Sequence, residues 1–182
     1  MINNEAVDRD NHSEQAPALF FAPFVSSRMG LRHDWIDYNG HLNMAYYHVL
    51  FDQAVDEAFG LCGLGPHYVQ ERGHSFFLVD SRIRYRRELK LTDAVRVTLQ
   101  LVDFDDKRLH YAMEIRHAMD GWLAAACENV SINVDMATRR AAPFPADILA
   151  NLAILKASHA DLPSPDMLGE GIAMRPRRSD MN

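Results

Sequence analysis

The sequence predicts an α+β domain in which one long central helix is wrapped by a curved antiparallel sheet of about five strands. Three observations carry this reading. Apolar residues recur at helical spacing from Tyr47 to Leu61. Four later segments, between Phe76 and Val134, alternate with period two. The connections between them carry turn residues, of which Asp120-Gly121 is the strongest hairpin signal. Antiparallel strands with one buried face need a cover, and the helix is long enough to supply it.

The elements follow in order. Residues 1–18 are polar and aperiodic and read as a disordered tail. The domain then spans 19–158. Val25, Met29 and Leu31 share one phase of a first strand, which Gly30 weakens. The stretch from His33 to Tyr47 comes next, where Asp37, Asn39 and Gly40 form a turn that runs into the helix. Asn43 is its natural N-cap, because its side chain can accept from an unpaired backbone N–H. Tyr47, Leu50, Phe51, Ala54, Ala58 and Leu61 make the apolar face over about four turns. His48, Asp52 and Asp56 lie at i, i+4 on another face, which reads as polar. Gly60 and Gly63 suit the helix end. Residues 64–74 form a loop with one helical turn.

In the first long strand Phe77, Val79, Ile83 and Tyr85 alternate with Phe76, Leu78, Asp80, Arg82 and Arg84. Val95 to Leu101 and Leu109 to Ile115 are the second and third. In the fourth, Trp122, Ala124, Ala126, Val130, Ile132 and Val134 share the phase expected to face inward. Glu128 falls in that phase, and a buried carboxylate needs a partner. Asp147 to Lys156 reads as a short helix with Ile148, Leu152 and Leu155 inward. Residues 159–182, rich in Pro, Asp, Gly and Arg, read as an extended or disordered C-terminal tail.

Composition narrows the function. The chain has 182 residues, 48% hydrophobic, with a formal net charge of −6, which argues against a dedicated nucleic-acid binder. Its two cysteines, Cys62 and Cys127, form no CxxC pair, and its nine histidines show no HExxH spacing, so no metal is expected. No apolar run reaches the ~20 residues of a membrane span. The first residues lack the basic start and apolar centre of a signal peptide. A cytoplasmic protein that binds neither nucleic acid nor membrane is the expectation.

The turn carries the chemistry. From the residues alone, Asp37 reads first as an Asx-turn that shapes the loop and second as a base or nucleophile. Amides near Asn43 and Met44 sit at the positive end of the helix dipole and can stabilise an oxyanion. Gly40 permits a positive φ or a close approach. His41 orients Asp37 or hydrogen-bonds the loop.

Asp37-Tyr38-Asn39-Gly40-His41-Leu42-Asn43, after one strand and before a long helix, resembles the signature of hotdog-fold acyl-CoA thioesterases of the 4-hydroxybenzoyl-CoA thioesterase branch. Trp35 to His41, Asp105-Asp106-Lys107-Arg108-Leu109-His110, and Val134-Asp135 followed by Ala142-Pro143-Phe144 are similar to the betainyl-CoA thioesterases of carnitine breakdown. The resemblance covers Phe24 to Phe144. It implies hydrolysis of a small acyl-CoA, with betainyl-CoA as the best guess. Another short-chain or aromatic acyl-CoA, a non-catalytic acyl-CoA-binding module and a hotdog dehydratase stand as alternatives.

The resemblance also implies that Asp37 is the catalytic carboxylate. Trp35 stands where many members carry a second acid, and Asp80 where carnitine-linked members often carry Glu. It implies dimers, or dimers of dimers, joined edge to edge, with residues around Val79, Asp80 and Ser81 reaching the partner's site. Arg108, or the group Arg82, Arg84, Arg86 and Arg87, would meet the coenzyme A phosphates. If the acyl group is betainyl, Trp35, Tyr46, Tyr47, Phe76 and Phe77 are candidate faces for its trimethylammonium. No cofactor is expected, since coenzyme A enters as part of the substrate.

Overall fold

The computed structural model describes residues 22–172. The expected N-terminal tail, 1–18, and the last part of the C-terminal tail, 173–182, lie outside the described residues.

The central helix, α1, runs Met44–Gly60. Asn43 caps it as expected: its φ and ψ of −64° and 142° are extended, and its Oδ1 accepts from the Ala45 amide at 3.0 Å. Tyr47, Leu50, Phe51, Ala54, Val55, Ala58 and Phe59 are buried, one stripe at i, i+3, i+4 spacing. Leu61, expected in that stripe, lies beyond the last turn and is exposed. The loop after α1 folds further than expected. It becomes a short helix, α2 (Pro66–Arg72), opened by Pro66 and closed by Gly73 at φ 64°.

The first strand is not continuous. Two short pieces, β1 (Phe24–Val25) and β2 (Met29–Gly30), both pair antiparallel with β4 (Ala94–Phe104). At the break Ser26 replaces the ladder locally: its amide donates to the Val97 carbonyl and its Oγ accepts from the Val97 amide. The break shifts the phase, so Phe24 and Met29 are buried while Val25, expected inward, is exposed.

The remaining strands are β3 (His74–Tyr85), β5 (Arg108–His117), β6 (Leu123–Asp135) and β7 (Arg140–Ala141). Among the described residues the sheet has seven strands in the order β1-β4-β5-β6-β3, with β2 also on β4 and β7 on β6, and its pairs are antiparallel. α1 packs against β4 and β5. A final helix, α3 (Ala146–Ser158), packs on β4 with Ile148, Leu152 and Leu155 buried, as expected.

β3 precedes β4 in sequence but forms the opposite edge of the sheet. Its register slips between Leu78 and Asp80, leaving Val79 as a bulge. The bulge reverses the alternation. Phe76 and Leu78 share the helix-side face with Ser81 and Ile83, whereas Arg82, paired with Glu128, faces outward. The single phase expected for Phe77, Val79, Ile83 and Tyr85 is therefore broken in its middle.

β6 also differs. Cys127, Asn129, Ser131 and Asn133 occupy the buried helix-side face, and Glu128, Val130 and Ile132 the outer face. The outer face tolerates apolar residues because the chain after α3 covers it. Met167 is buried there, Arg82 donates to its carbonyl, and Gly169 to Ile172 line a depression with Glu128 and Val130. Glu128 accepts from Arg82, from His110 Nε2 at 3.0 Å and from the Gly169 amide at 3.1 Å. It is hydrogen-bonded as its chemistry requires, on the opposite face from the one expected. Residues 159–172 thus lie against the sheet, without helix or strand.

Candidate functional site

The turn before α1 is fixed by its backbone. Ile36 and Leu42 form an antiparallel bridge, the Asp37 amide donates to the His41 carbonyl, and the Gly40 amide donates to the Asp37 carbonyl, both at 3.0 Å. Two bonds tie its base to the domain: Leu42 N–H to the Leu89 carbonyl at 2.7 Å and Asn43 N–H to the Trp35 carbonyl at 2.9 Å. Leu89, in the connection between β3 and β4, is fully buried.

Asp37 keeps both readings the sequence allowed. Its Oδ1 accepts from the Asn39 amide at 2.8 Å, which is the Asx-turn. Its Oδ2 has no hydrogen-bond partner among the described residues. His41 Nδ1 lies 3.2 Å from the Leu42 carbonyl and 3.8 Å from Asp37 Oδ1. Two acceptors beside one ring nitrogen place the proton on Nδ1. Asp37 is 14% exposed, so the turn holds the carboxylate partly out of water.

The helix start faces the same region. Asn43 Oδ1 takes the Ala45 amide and the Asn43 carbonyl takes that of Tyr46. The Met44 amide, first in the helix, has no intrahelical acceptor and none elsewhere among the described residues. One free carboxylate oxygen and one free helix-start amide within a single turn can act on an electrophilic carbonyl. The first supplies a base, the second a donor for developing negative charge.

Gly40 sits at φ 79°, with nothing among the described residues within 4 Å of where a Cβ would stand. A side chain there meets no clash, only backbone strain. Gly40→Ala is expected to destabilise the protein by about 1–2 kcal/mol, and Gly40→Asn by less, because Asn tolerates the left-handed region. Urea denaturation of the two variants checks the order.

The other expected site residues scatter. Trp35 is buried and stacks on Tyr46 at 5.3 Å. Tyr47 is buried edge-on against Tyr85 at 5.1 Å, and burial raises its pKa. These rings pack the root of the turn. Phe77 lies under the Arg139 guanidinium and Phe76 against Phe59. The apolar side chains left open beside Asp37 are Tyr38 and Met44, 97% and 67% exposed.

Asp80 follows the bulge on the β3 edge and lines an outer depression with Arg82, Glu128 and Gly169, away from the turn. Arg108 donates from Nε and Nη2 to Asp105 Oδ2, and its guanidinium holds that carboxyl at a pKa of about 2. It lies at the Phe104 end of β4, whereas β2, just before the turn, pairs at the Ala94 end. β4 is 11 residues long, which sets those ends roughly 33 Å apart along the strand. One chain does not bring Asp80 or Arg108 to Asp37. Arg82 and Arg84 are engaged by Glu128 and Glu170, and Arg87 lies over Trp122 at 4.1 Å.

A second feature was not legible as a site. Between α1, β3 and β6 lies a cleft of about 480 Å³, lined among others by His48, Asp52, Asp56, Ser81, Asn129 and Ser131. Its wall includes Cys127, whose thiol burial pushes up to about 12, as it does that of Cys62. Both thiols are protonated at neutral pH and inert as nucleophiles. No group of three or more metal-ligating side chains occurs among the described residues.

Comparison with known proteins gives consistent matches. Residues 31–152 match the family model of the thioesterase-like superfamily. An L-carnitine dehydrogenase/betainyl-CoA thioesterase of Rhizobium meliloti is 36% identical over 141 residues, which cover 78% of this chain and 28% of that protein. The chain thus spans about 28% of the length of that larger relative. A betainyl-CoA thioesterase of Pseudomonas aeruginosa is 34% identical over 149 residues, covering 80% of this chain and 91% of that one. A Staphylococcus aureus protein solved in complex with CoA superposes with a TM-score of 0.78 at 27% identity, over 87% of this chain and 99% of that one.

Proposed function

Because this chain belongs to the thioesterase-like superfamily, we propose that it hydrolyses a small acyl-CoA thioester, betainyl-CoA, to betaine and CoA. The fold is the hotdog arrangement the sequence resemblance implied. The observation that carries the reading is the pairing in one turn of the free Asp37 Oδ2 with the free Met44 amide. Relatives named for betainyl-CoA hydrolysis, at 36% and 34% identity, support the choice of acyl group.

In this reading Asp37 Oδ2 takes a proton from water as the water adds to the thioester carbonyl. The oxyanion forms against the Met44 N–H. Collapse breaks the C–S bond, the departing CoA thiolate takes the proton back from Asp37, and the acid remains. A carboxylate whose other oxygen is anchored by Asn39 suits proton transfer, which needs reach rather than a swing into the carbonyl. His41 and Gly40 hold the turn, and Asn43 fixes the helix start.

The working unit is a homodimer. β3 is a 12-residue edge strand with Leu78 and Val79 51% and 59% exposed, and such an edge is a template for a second strand. The setting is the cytoplasm, where two buried free thiols suit a reducing environment.

Thiol release from betainyl-, acetyl- and 4-hydroxybenzoyl-CoA tests the proposal. The highest kcat/KM is expected with betainyl-CoA. Hydrolysis confined to the aromatic thioester would overturn the acyl assignment, and release from none of the three would overturn the hydrolase.

A further inference from the structure

The cleft between α1 and the β3 edge holds an electrostatic conflict. Asp52 and Asp56, one turn apart on α1, are exposed and stand at the open side of its lining. Neither forms an ion pair among the described residues. Like charges at i, i+4 destabilise a helix. The Asp56 carboxyl is held above its usual pKa, first by burial and then by the charge of Asp52. A second, independent feature marks the same wall. Asn129 is 4% exposed: its Nδ2 donates to Cys127 Sγ and Met113 Sδ, and its Oδ1 is buried with no hydrogen-bond partner among the described residues. An orphaned buried acceptor is costly and calls for an explanation. Aromatic rings from Phe51, Tyr68 and Phe76 complete the lining. Uncompensated negative charge, an unpaired carbonyl dipole and aromatic rings together describe a receptor for a cation.

Resting on the hydrolase reading above, we propose that this cleft is the acyl pocket and that Asp52 and Asp56 are the specificity residues that hold the quaternary ammonium of the acyl group. A trimethylammonium has no N–H to donate. It is selected by charge and by ring faces rather than by hydrogen bonds, and this cleft supplies both.

The placement dictates which Asp37 acts. In a betainyl group one methylene separates nitrogen from the scissile carbonyl, a gap of about 2.5 Å across two single bonds of ~1.5 Å. Asp52 lies eight residues beyond Met44, about 12 Å along the helix axis. The chain's own Asp37, before the helix, is therefore too distant to act on an acyl group held at Asp52 and Asp56. α1 runs antiparallel to β3, with Tyr47 against Tyr85 at one end and Phe59 against Phe76 at the other. Antiparallel pairing of β3 with a second β3 reverses that order across the edge. It brings the helix start of the second copy toward the Phe76 end, where this cleft opens beside Leu78 and Ser81. Charge recognition comes from one copy and the base from the other.

The test compares betainyl-CoA with 3,3-dimethylbutanoyl-CoA, which has the same shape with carbon in place of the charged nitrogen. The wild type is expected to favour betainyl-CoA by about tenfold or more in kcat/KM. The Asp52→Asn, Asp56→Asn double variant is expected to bring that ratio near one, through a higher KM for betainyl-CoA. Asn preserves shape and relieves the repulsion, so thermal melting should show a folded protein. If the wild type favours betainyl-CoA and the variant keeps the same ratio, the pocket assignment fails while the hydrolase stands. Parallel loss on both substrates would also overturn it, since the carboxylates would then serve chemistry or folding. A wild type that favours the neutral thioester would overturn the betainyl reading itself.

Discussion

Asp37→Asn is expected to lower kcat for thioester hydrolysis by about 10²–10⁴-fold, with little change in KM. The amide retains an oxygen that accepts from the Asn39 amide, so the turn and the melting temperature should persist. What disappears is the basicity of the second oxygen. Asp37→Ala should lose the same activity and, in addition, the Asx-turn bond. A full-rate Asn variant would remove Asp37 from the chemistry. Single turnover in ¹⁸O-labelled water addresses the role further. Label in the released acid and none in Asp37 is the expected outcome for a base that activates water. Label in the Asp37 carboxylate would instead make it the nucleophile.

Phe59→Ala is expected to be the most destabilising single change in the core, by about 3–5 kcal/mol. Phe59 is fully buried at the far end of α1 and stands edge-on to Phe76 at 5.6 Å and Tyr111 at 5.2 Å. It joins the helix to two strands at once, and neither neighbouring ring can collapse into the space without losing its own packing. The melting temperature should fall by on the order of 10 °C. Phe59→Leu should cost less, because it fills more of the void. Equilibrium urea unfolding measures both, and a loss below about 1 kcal/mol for the alanine variant would show that the site relaxes freely.

Much of the fold was legible because local and global preferences agree. The Asn43 cap, the apolar stripe of α1 and the four long strands each follow from one periodicity in the residues themselves. The failures have a common cause. Alternation reports which side of a strand is apolar, not which side is covered by what. The bulge at Val79 reverses the phase of β3 with no glycine to signal it. On β6, Val130 is apolar on the outer face, where Gly169 to Ile172 lie beside it. Asn129 and Ser131 are polar because the inner face borders a cleft. The two faces exchange their usual chemistry.

The site divides in the same way. The Asp37 turn was legible because its chemistry and its backbone requirements coincide in consecutive residues. The proposed role of Asp52 and Asp56 was not, because a polar face on an amphipathic helix ordinarily meets water. Only the tertiary arrangement shows that this face borders a cavity. Trp35 and Tyr47 are buried and Tyr46 partly so, and Trp35 stacks on Tyr46, so these rings pack the root of the turn.

The bonds that close the turn, Leu42 to Leu89, Asn43 to Trp35, Asp37 to His41 and Gly40 to Asp37, all join main-chain atoms. The position of the carboxylate is therefore insulated from most side-chain exchange around it. On the acyl-pocket assignment proposed above, a lineage can rewrite the exposed flank of α1, and with it the range of thioesters accepted, while the Asp37 carboxylate stays in register. Divergence in substrate then requires only surface-accessible replacements, and laboratory retargeting can begin at those same helix positions without rebuilding the loop.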